Sequence, residues 1–160
     1  MWSPTRTKAN APSPSDPLFS PTLIPDSTAK SLPPGYSIRP LSRTDHSSGF
    51  LSVLAVLTTV GDISPSSFQS QYDWMASAGK GTYYILVIEN EKKEVVGTGA
   101  VLVERKFIHE LGKVGHIEDI AVRKDQQGKK LGLRIIEALD KLAEGVGCYK
   151  VSRNKVFICR

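Results

Sequence analysis

Cysteine is scarce in this chain of 160 residues: Cys148 and Cys159 are the only two. They have neither the number nor the spacing of a zinc site or a disulfide framework, so a reduced, cytoplasmic protein is expected. No apolar run approaches the roughly 20 residues that span a bilayer, and the N-terminus lacks the apolar core of a secretory signal. No membrane span is expected. Aromatic residues make up 8% of the chain, and no stacking row or nucleic-acid motif accompanies its net charge of +5. A nucleic-acid partner is therefore not expected, and phosphorylated small molecules account better for the basic residues. Proline is almost missing after residue 40, since nine of the ten lie before Leu41.

That uneven distribution divides the chain. Prolines interleaved with Ser and Thr leave residues 1–34 unable to hold a helix or pair in a central strand, and they read as a disordered leader. Residues 35–160, in a chain with 40% hydrophobic content, suit one domain with a modest core. Tyr36 to Arg39 alternates as a first strand, and Arg43 to Val60 carries Phe50, Leu51, Leu54 and Leu57 at helical spacing. Ser64-Pro65 then offers an N-cap with proline at the first helical position, opening a helix that runs to Gly79. The β-branched runs Thr82 to Ile88 and Val95 to Ile108 flank the polar turn Asn90-Glu91-Lys92-Lys93 as an antiparallel hairpin. A strand over Gly115 to Val122, a helix from Leu131 to about Gly145 and a strand from Cys148 complete the series. The fold class is α/β: a mixed sheet with helices on both faces.

The most informative stretch is Gly115-His116-Ile117-Glu118-Asp119-Ile120-Ala121-Val122, followed after a short linker by Gln127-Gly128-Lys129-Lys130-Leu131-Gly132. A strand, an amide-rich turn and a helix start form an architecture for phosphate. Glycine lets backbone N–H groups close on an anion, and the helix adds its N-terminal dipole and unpaired donors. A nucleotide-hydrolysing P-loop would need Lys and then Ser or Thr after its second glycine, but Leu133 and Arg134 follow Gly132. The dinucleotide pattern G-x-G-x-x-G is also missing.

Gln127 to Gly132 resembles the coenzyme A loop of the GNAT acyltransferase superfamily, with Lys130 standing where glycine or alanine is commoner. Leu57-Thr58-Thr59-Val60-Gly61, Glu104-Arg105-Lys106-Phe107-Ile108-His109-Glu110-Leu111-Gly112 and Gly147-Cys148-Tyr149-Lys150 narrow the resemblance to the glucosamine 6-phosphate N-acetyltransferase family, over about Tyr36 to Val151. The resemblance implies a mostly antiparallel central sheet of GNAT type and acetyl-CoA as co-substrate, with no metal. The coenzyme would lie along Ile120, Ala121 and Val122 and place its diphosphate on Gln127, Gly128, Lys129, Lys130, Leu131, Gly132 and Leu133. Glucosamine 6-phosphate contacts would fall on Thr58, on Lys106, Phe107, Ile108 and His109, on Glu118, Asp119 and Ile120, and on Tyr149 and Lys150. A homodimer completing the sugar site is also implied.

Several of these residues have ordinary structural readings. Thr58 suits a helix end, His109 a loop, and Tyr149 a half-buried strand position. Adjacent strand residues point to opposite faces, so of Glu118 and Asp119 only one can present its side chain to the sugar, and Glu118 is favoured. After Val151 the tail Ser152 to Arg160 departs from the family, which there carries an acidic segment, a helix and a final strand with a tyrosine. The family's last helix and strand are therefore expected to be missing, with no catalytic Asp or Tyr to assign. An alternative is a truncated, catalytically impaired isoform that still binds coenzyme A; another is acetylation of a different amine.

Overall fold

The computed structural model describes residues 17–153. Five strands form one sheet in the order β1 (Ser37–Pro40), β2 (Tyr83–Glu89), β3 (Val95–Arg105), β4 (Lys113–Val122) and β5 (Cys148–Arg153). Successive strands pair antiparallel except β4 and β5, which run parallel. The β2–β3 hairpin closes on Asn90, whose Oδ1 accepts from the N–H groups of Lys92 and Glu94, each at 3.0 Å. This is the mixed, mostly antiparallel sheet that the sequence pattern and the resemblance anticipate.

Helices cover both faces. The 15-residue helix Leu131–Gly145 buries Leu131, Ile135, Ile136, Ala138, Leu139, Leu142 and Ala143, a stripe at helical spacing. That stripe packs on Leu86, Ile88, Val101, Ile117 and Ile120. On the other face two helices, Phe50–Leu54 and Pro65–Ala76, bring Phe50, Val53, Phe68 and Tyr72 against Val87, Val95 and Ala121. The longer of these begins as expected, with Ser64 Oγ accepting from Ser67 N–H at 3.1 Å and Pro65 following the cap. It stops at Ala76, three residues before the expected Gly79.

Phe50–Leu54 is much shorter than the helix expected over residues 43–60, because Asp45 is captured elsewhere. Its buried carboxylate receives both terminal nitrogens of Arg39 at 2.8 Å and the N–H of Ser42 at 2.7 Å, which folds residues 42–49 into turns. Gly49, left-handed at φ 95°, then starts the short helix. The paired Asp45 carboxylate, with Glu89 adding a second bond, holds the Arg39 guanidinium above its usual pKa against the opposing effect of burial. Replacing Asp45 with Ala removes the charge partner and the turn's acceptor together. The expected loss is about 3 kcal/mol in chemical denaturation, and a change under 1 kcal/mol would contradict this reading.

Residues 17–34 are ordered, which corrects the disordered leader expected over 1–34. Leu18 N–H donates to Leu41 O at 3.0 Å, Pro21–Leu23 forms a 3-10 turn, and Asp26–Ser31 is a short helix. Leu18 and Ile24 are buried, and Leu23 and Leu32 pack against the core beneath the long helix. Proline content concealed these apolar anchors, and the prolines themselves occupy tolerated places: Pro21 opens the 3-10 turn and Pro25 caps the helix. Residues 1–16 of the expected leader, and the tail from Asn154 onward, lie outside the described residues.

Candidate active site

The two halves of β4 have different surroundings. From Lys113 to Ile117 the strand pairs with β3 on one side and β5 on the other, the last pair with β5 being Ile117 with Arg153. From Glu118 onward only β3 pairs with it among the described residues.

At the same point β4 carries a bulge. Ala100 pairs with Glu118 but Thr98 with Ala121, so one residue of β3, Gly99, faces an extra residue of β4. Asp119 takes the strain at φ 53°, in the left-handed region. Ile117 and Ile120, three positions apart, therefore both bury in the core beneath the long helix. This corrects the strict alternation applied to Glu118 and Asp119, whose side chains are set by the bulge; Glu118 is half-buried and Asp119 exposed. Gly99 had no part in the sequence reading, yet a Cβ there would stand 2.5 Å from Ile120 Cδ1 and Ile135 Cγ2. Gly97 and Gly99, two apart in a strand, were the available signal of close backbone approach.

Beyond Val122 the chain turns tightly into the long helix. Arg123 N–H donates to Val96 O at 2.8 Å, Lys124–Gln126 forms a 3-10 turn, and Gln127 Nε2 donates to Val122 O at 3.2 Å. The Gln127 side chain thus closes the loop instead of extending toward a ligand. Gly128 and Lys130 are left-handed, at φ 84° and 60°, and Lys130 occupies the N-cap with no side-chain acceptor. A left-handed lysine costs about 1–2 kcal/mol, which a glycine at that position would not incur. From Gly128 to Leu133 the N–H groups meet no backbone acceptor among the described residues. Leu131 is buried, so it contributes only its amide, whereas Lys129, Lys130 and Leu133 are exposed. Among the described residues the result is a run of donors without a backbone acceptor at the positive end of a helix dipole, beside two lysines.

A second group of candidate residues gathers at the opposite end of β4. Between β3 and β4 a single turn, Ile108–Leu111, is wound left-handed at His109, Glu110 and Leu111. It presents Phe107 at 93% exposure with Ile108 and Leu111 also exposed, an apolar tip without cover among the described residues. The His109 ring stacks 4.2 Å from Tyr149, which rests on Gly112, and Lys150 is exposed beside it. Lys106 pairs with Glu104, and His116 Nε2 lies 2.8 Å from Glu104 Oε2. Hydrogen bonds from Lys106 first and then His116 hold the Glu104 carboxyl below the ordinary range.

Glu118 stands five residues along β4 from Lys113, about 17 Å of strand, although Lys106 is joined through Glu104 to His116, only two residues from Glu118. Phe107 to His109 with Tyr149 and Lys150 form one set, and Glu118 to Val122 with the amide turn another. Thr58 is exposed in the loop leaving Phe50–Leu54. Among the described residues no His, Cys, Asp and Glu group is arranged to hold a metal, and no helix is long and apolar enough to cross a membrane.

A bulged strand thus ends in an amide-rich turn under a helix, an arrangement suited to an anionic ligand. The chain belongs to the acetyltransferase (GNAT) family, whose model matches residues 50–157. Its relatives carry a narrower name. A glucosamine 6-phosphate N-acetyltransferase of Candida albicans is 49% identical over 120 residues, 75% of this chain and 80% of that protein. The Arabidopsis thaliana enzyme of the same name is 34% identical over 127 residues, 76% of this chain and 85% of the relative. A crystal structure of glucosamine-6-phosphate N-acetyltransferase from Arabidopsis thaliana matches at TM-score 0.72 and 35% identity, covering 76% of this chain and 83% of that one.

Proposed function

We propose that this chain transfers the acetyl group of acetyl-CoA to the amine of glucosamine 6-phosphate, in the cytoplasm, on the route to UDP-N-acetylglucosamine. The neutral amine attacks the thioester carbonyl, the new C–N bond replaces the C–S bond, and the amine's proton balances the departing thiolate. N-acetylglucosamine 6-phosphate and coenzyme A result. The observation that carries the reading is the run of amides from Gly128 to Leu133 that meet no backbone acceptor among the described residues, at the end of the bulged strand β4. The relatives' shared name supplies the acceptor.

The residues then take distinct roles. The amides from Gly128 to Leu133 grip the diphosphate, and Ile120, Ala121 and Val122 align the acyl arm, so that positioning contributes most of the rate. Glu118 and Thr58 address the sugar. Lys106, tied through Glu104 to His116, reaches toward Glu118, whereas the set Phe107, Ile108, His109, Tyr149 and Lys150 lies toward the far end of β4 from the same chain's amide turn. That set serves the cleft of a second copy, the exposed apolar tip providing the contact between copies.

The test is release of free thiol from acetyl-CoA by purified, folded protein. Release that depends on glucosamine 6-phosphate, and falls strongly with unphosphorylated glucosamine, is the expected result. Folded protein that binds coenzyme A without any turnover would contradict the proposal and leave a coenzyme-binding form in its place.

A further inference from the structure

One lysine of the amide turn, Lys129, is held by a residue 93 positions away in the sequence. Lys129 Nζ donates to the hydroxyl of Tyr36 at 2.6 Å and to Gln126 Oε1 at 3.0 Å, and lies 5.3 Å from the centroid of the Tyr36 ring. The Tyr36 hydroxyl donates in turn to Gln126 Oε1, closing a triangle. Gln126 Nε2 donates to Asp125 Oδ2 at 3.0 Å, which fixes the amide with its oxygen toward Tyr36 and Lys129.

Tyr36 itself has little freedom. Its ring packs against the core beneath the long helix, and its N–H reaches Pro33 O at 3.3 Å. Gly35 precedes it in the left-handed region at φ 85°, so close to the Glu91 side chain that a Cβ would meet Oε1 at 2.5 Å. The three residues of the triangle line an open groove of about 710 Å³ beside the amide turn.

We propose that Tyr36 is a positioning residue for coenzyme binding, holding the Lys129 ammonium in place beside the amide turn for the anionic coenzyme. The inference rests on the acetyl-CoA reading above. Every hydrogen-bond partner of Lys129 is a neutral oxygen, and no carboxylate joins them among the described residues, so its charge remains available. Arg123, which lines the same groove, differs in being engaged by Asp125 and Glu94. An exposed lysine normally loses much side-chain entropy on meeting a ligand, and here that loss has already been met in folding. The tie also links coenzyme affinity to the order of the segment before β1.

The experiment is calorimetric titration of coenzyme A into the wild-type protein, Tyr36→Phe, Lys129→Met and the double variant, with steady-state kinetics alongside. Tyr36→Phe is expected to weaken binding about fivefold and to raise KM for acetyl-CoA equally, with kcat and KM for the sugar phosphate unchanged. Lys129→Met is expected to weaken binding about tenfold, and the double variant to match it, because Tyr36 acts through Lys129. Wild-type affinity in Tyr36→Phe would overturn the proposal, as would losses that simply add in the double variant. Wild-type protein that binds no coenzyme A overturns the acetyl-CoA reading and this inference with it; binding by wild type with an unaltered Tyr36→Phe overturns this inference alone.

Discussion

Gly132→Ala should yield a protein that unfolds at a higher temperature and binds acetyl-CoA about a hundredfold more weakly. Gly132 lies in the first turn of the helix Leu131–Gly145, where nothing in the packing demands glycine. An added Cβ would sit 3.7 Å from Val122 Cγ2 and 4.0 Å from Ile120 Cγ2, ordinary contact distances. For the fold alone, alanine is the better residue by up to about 1 kcal/mol, or roughly 2–4 °C in the unfolding midpoint. The methyl group nevertheless points toward β4, on the side where the coenzyme must approach the amides. Losing two charge-assisted hydrogen bonds at about 1.5 kcal/mol each removes roughly a hundredfold in affinity. Thermal unfolding and calorimetry on the same sample read both effects. A stabilised variant with unaltered affinity would mean that this glycine has no ligand to accommodate.

Gly99→Ala should have the opposite character, a loss of stability of about 3 kcal/mol, or roughly 10 °C in the unfolding midpoint. Its Cβ would stand 2.5 Å from both Ile120 Cδ1 and Ile135 Cγ2 and 3.0 Å from Leu139 Cδ1, in the packed layer between β3 and the long helix. The isoleucines must leave their rotamers or the helix must lift from the sheet. Because Ile120 adjoins the bulge at Asp119, the disturbance reaches the proposed acyl site as well, and coenzyme affinity should fall with stability. Denaturant titration decides the matter. Wild-type stability in Gly99→Ala would mean that the helix does not lie this close to β3.

The contrast between these glycines explains what could be read in the sequence and what could not. The helix Leu131–Gly145, the hairpin around Asn90 and the capped start at Ser64-Pro65 were legible because local pattern and tertiary packing agree there. The amide turn was legible for the same reason, since its glycines and the following apolar stripe are contiguous in sequence. Residues 17–34 were misread because composition outweighed four apolar residues, Leu18, Leu23, Ile24 and Leu32, whose value depends on a core assembled from distant segments. The helix expected over 43–60 was shortened by the Arg39–Asp45 pair, a contact that helical periodicity does not encode. The bulge was hidden as well: Glu118-Asp119-Ile120 looks like ordinary strand, and only the register against Gly99 reveals the extra residue. Tyr36 was read only as the start of a strand, because its partners Gln126 and Lys129 are about ninety positions away.

The central claim is that the N–H groups from Gly128 to Leu133 grip a diphosphate. Following the backbone amide resonances of uniformly 15N-labelled protein during a coenzyme A titration tests it most directly. The account predicts that the amides of Gly128, Lys129, Lys130, Leu131, Gly132 and Leu133 shift most and move together to saturation, while those of Phe107 to Leu111 barely respond. Saturable binding that leaves the amides from Gly128 to Leu133 unmoved would contradict it.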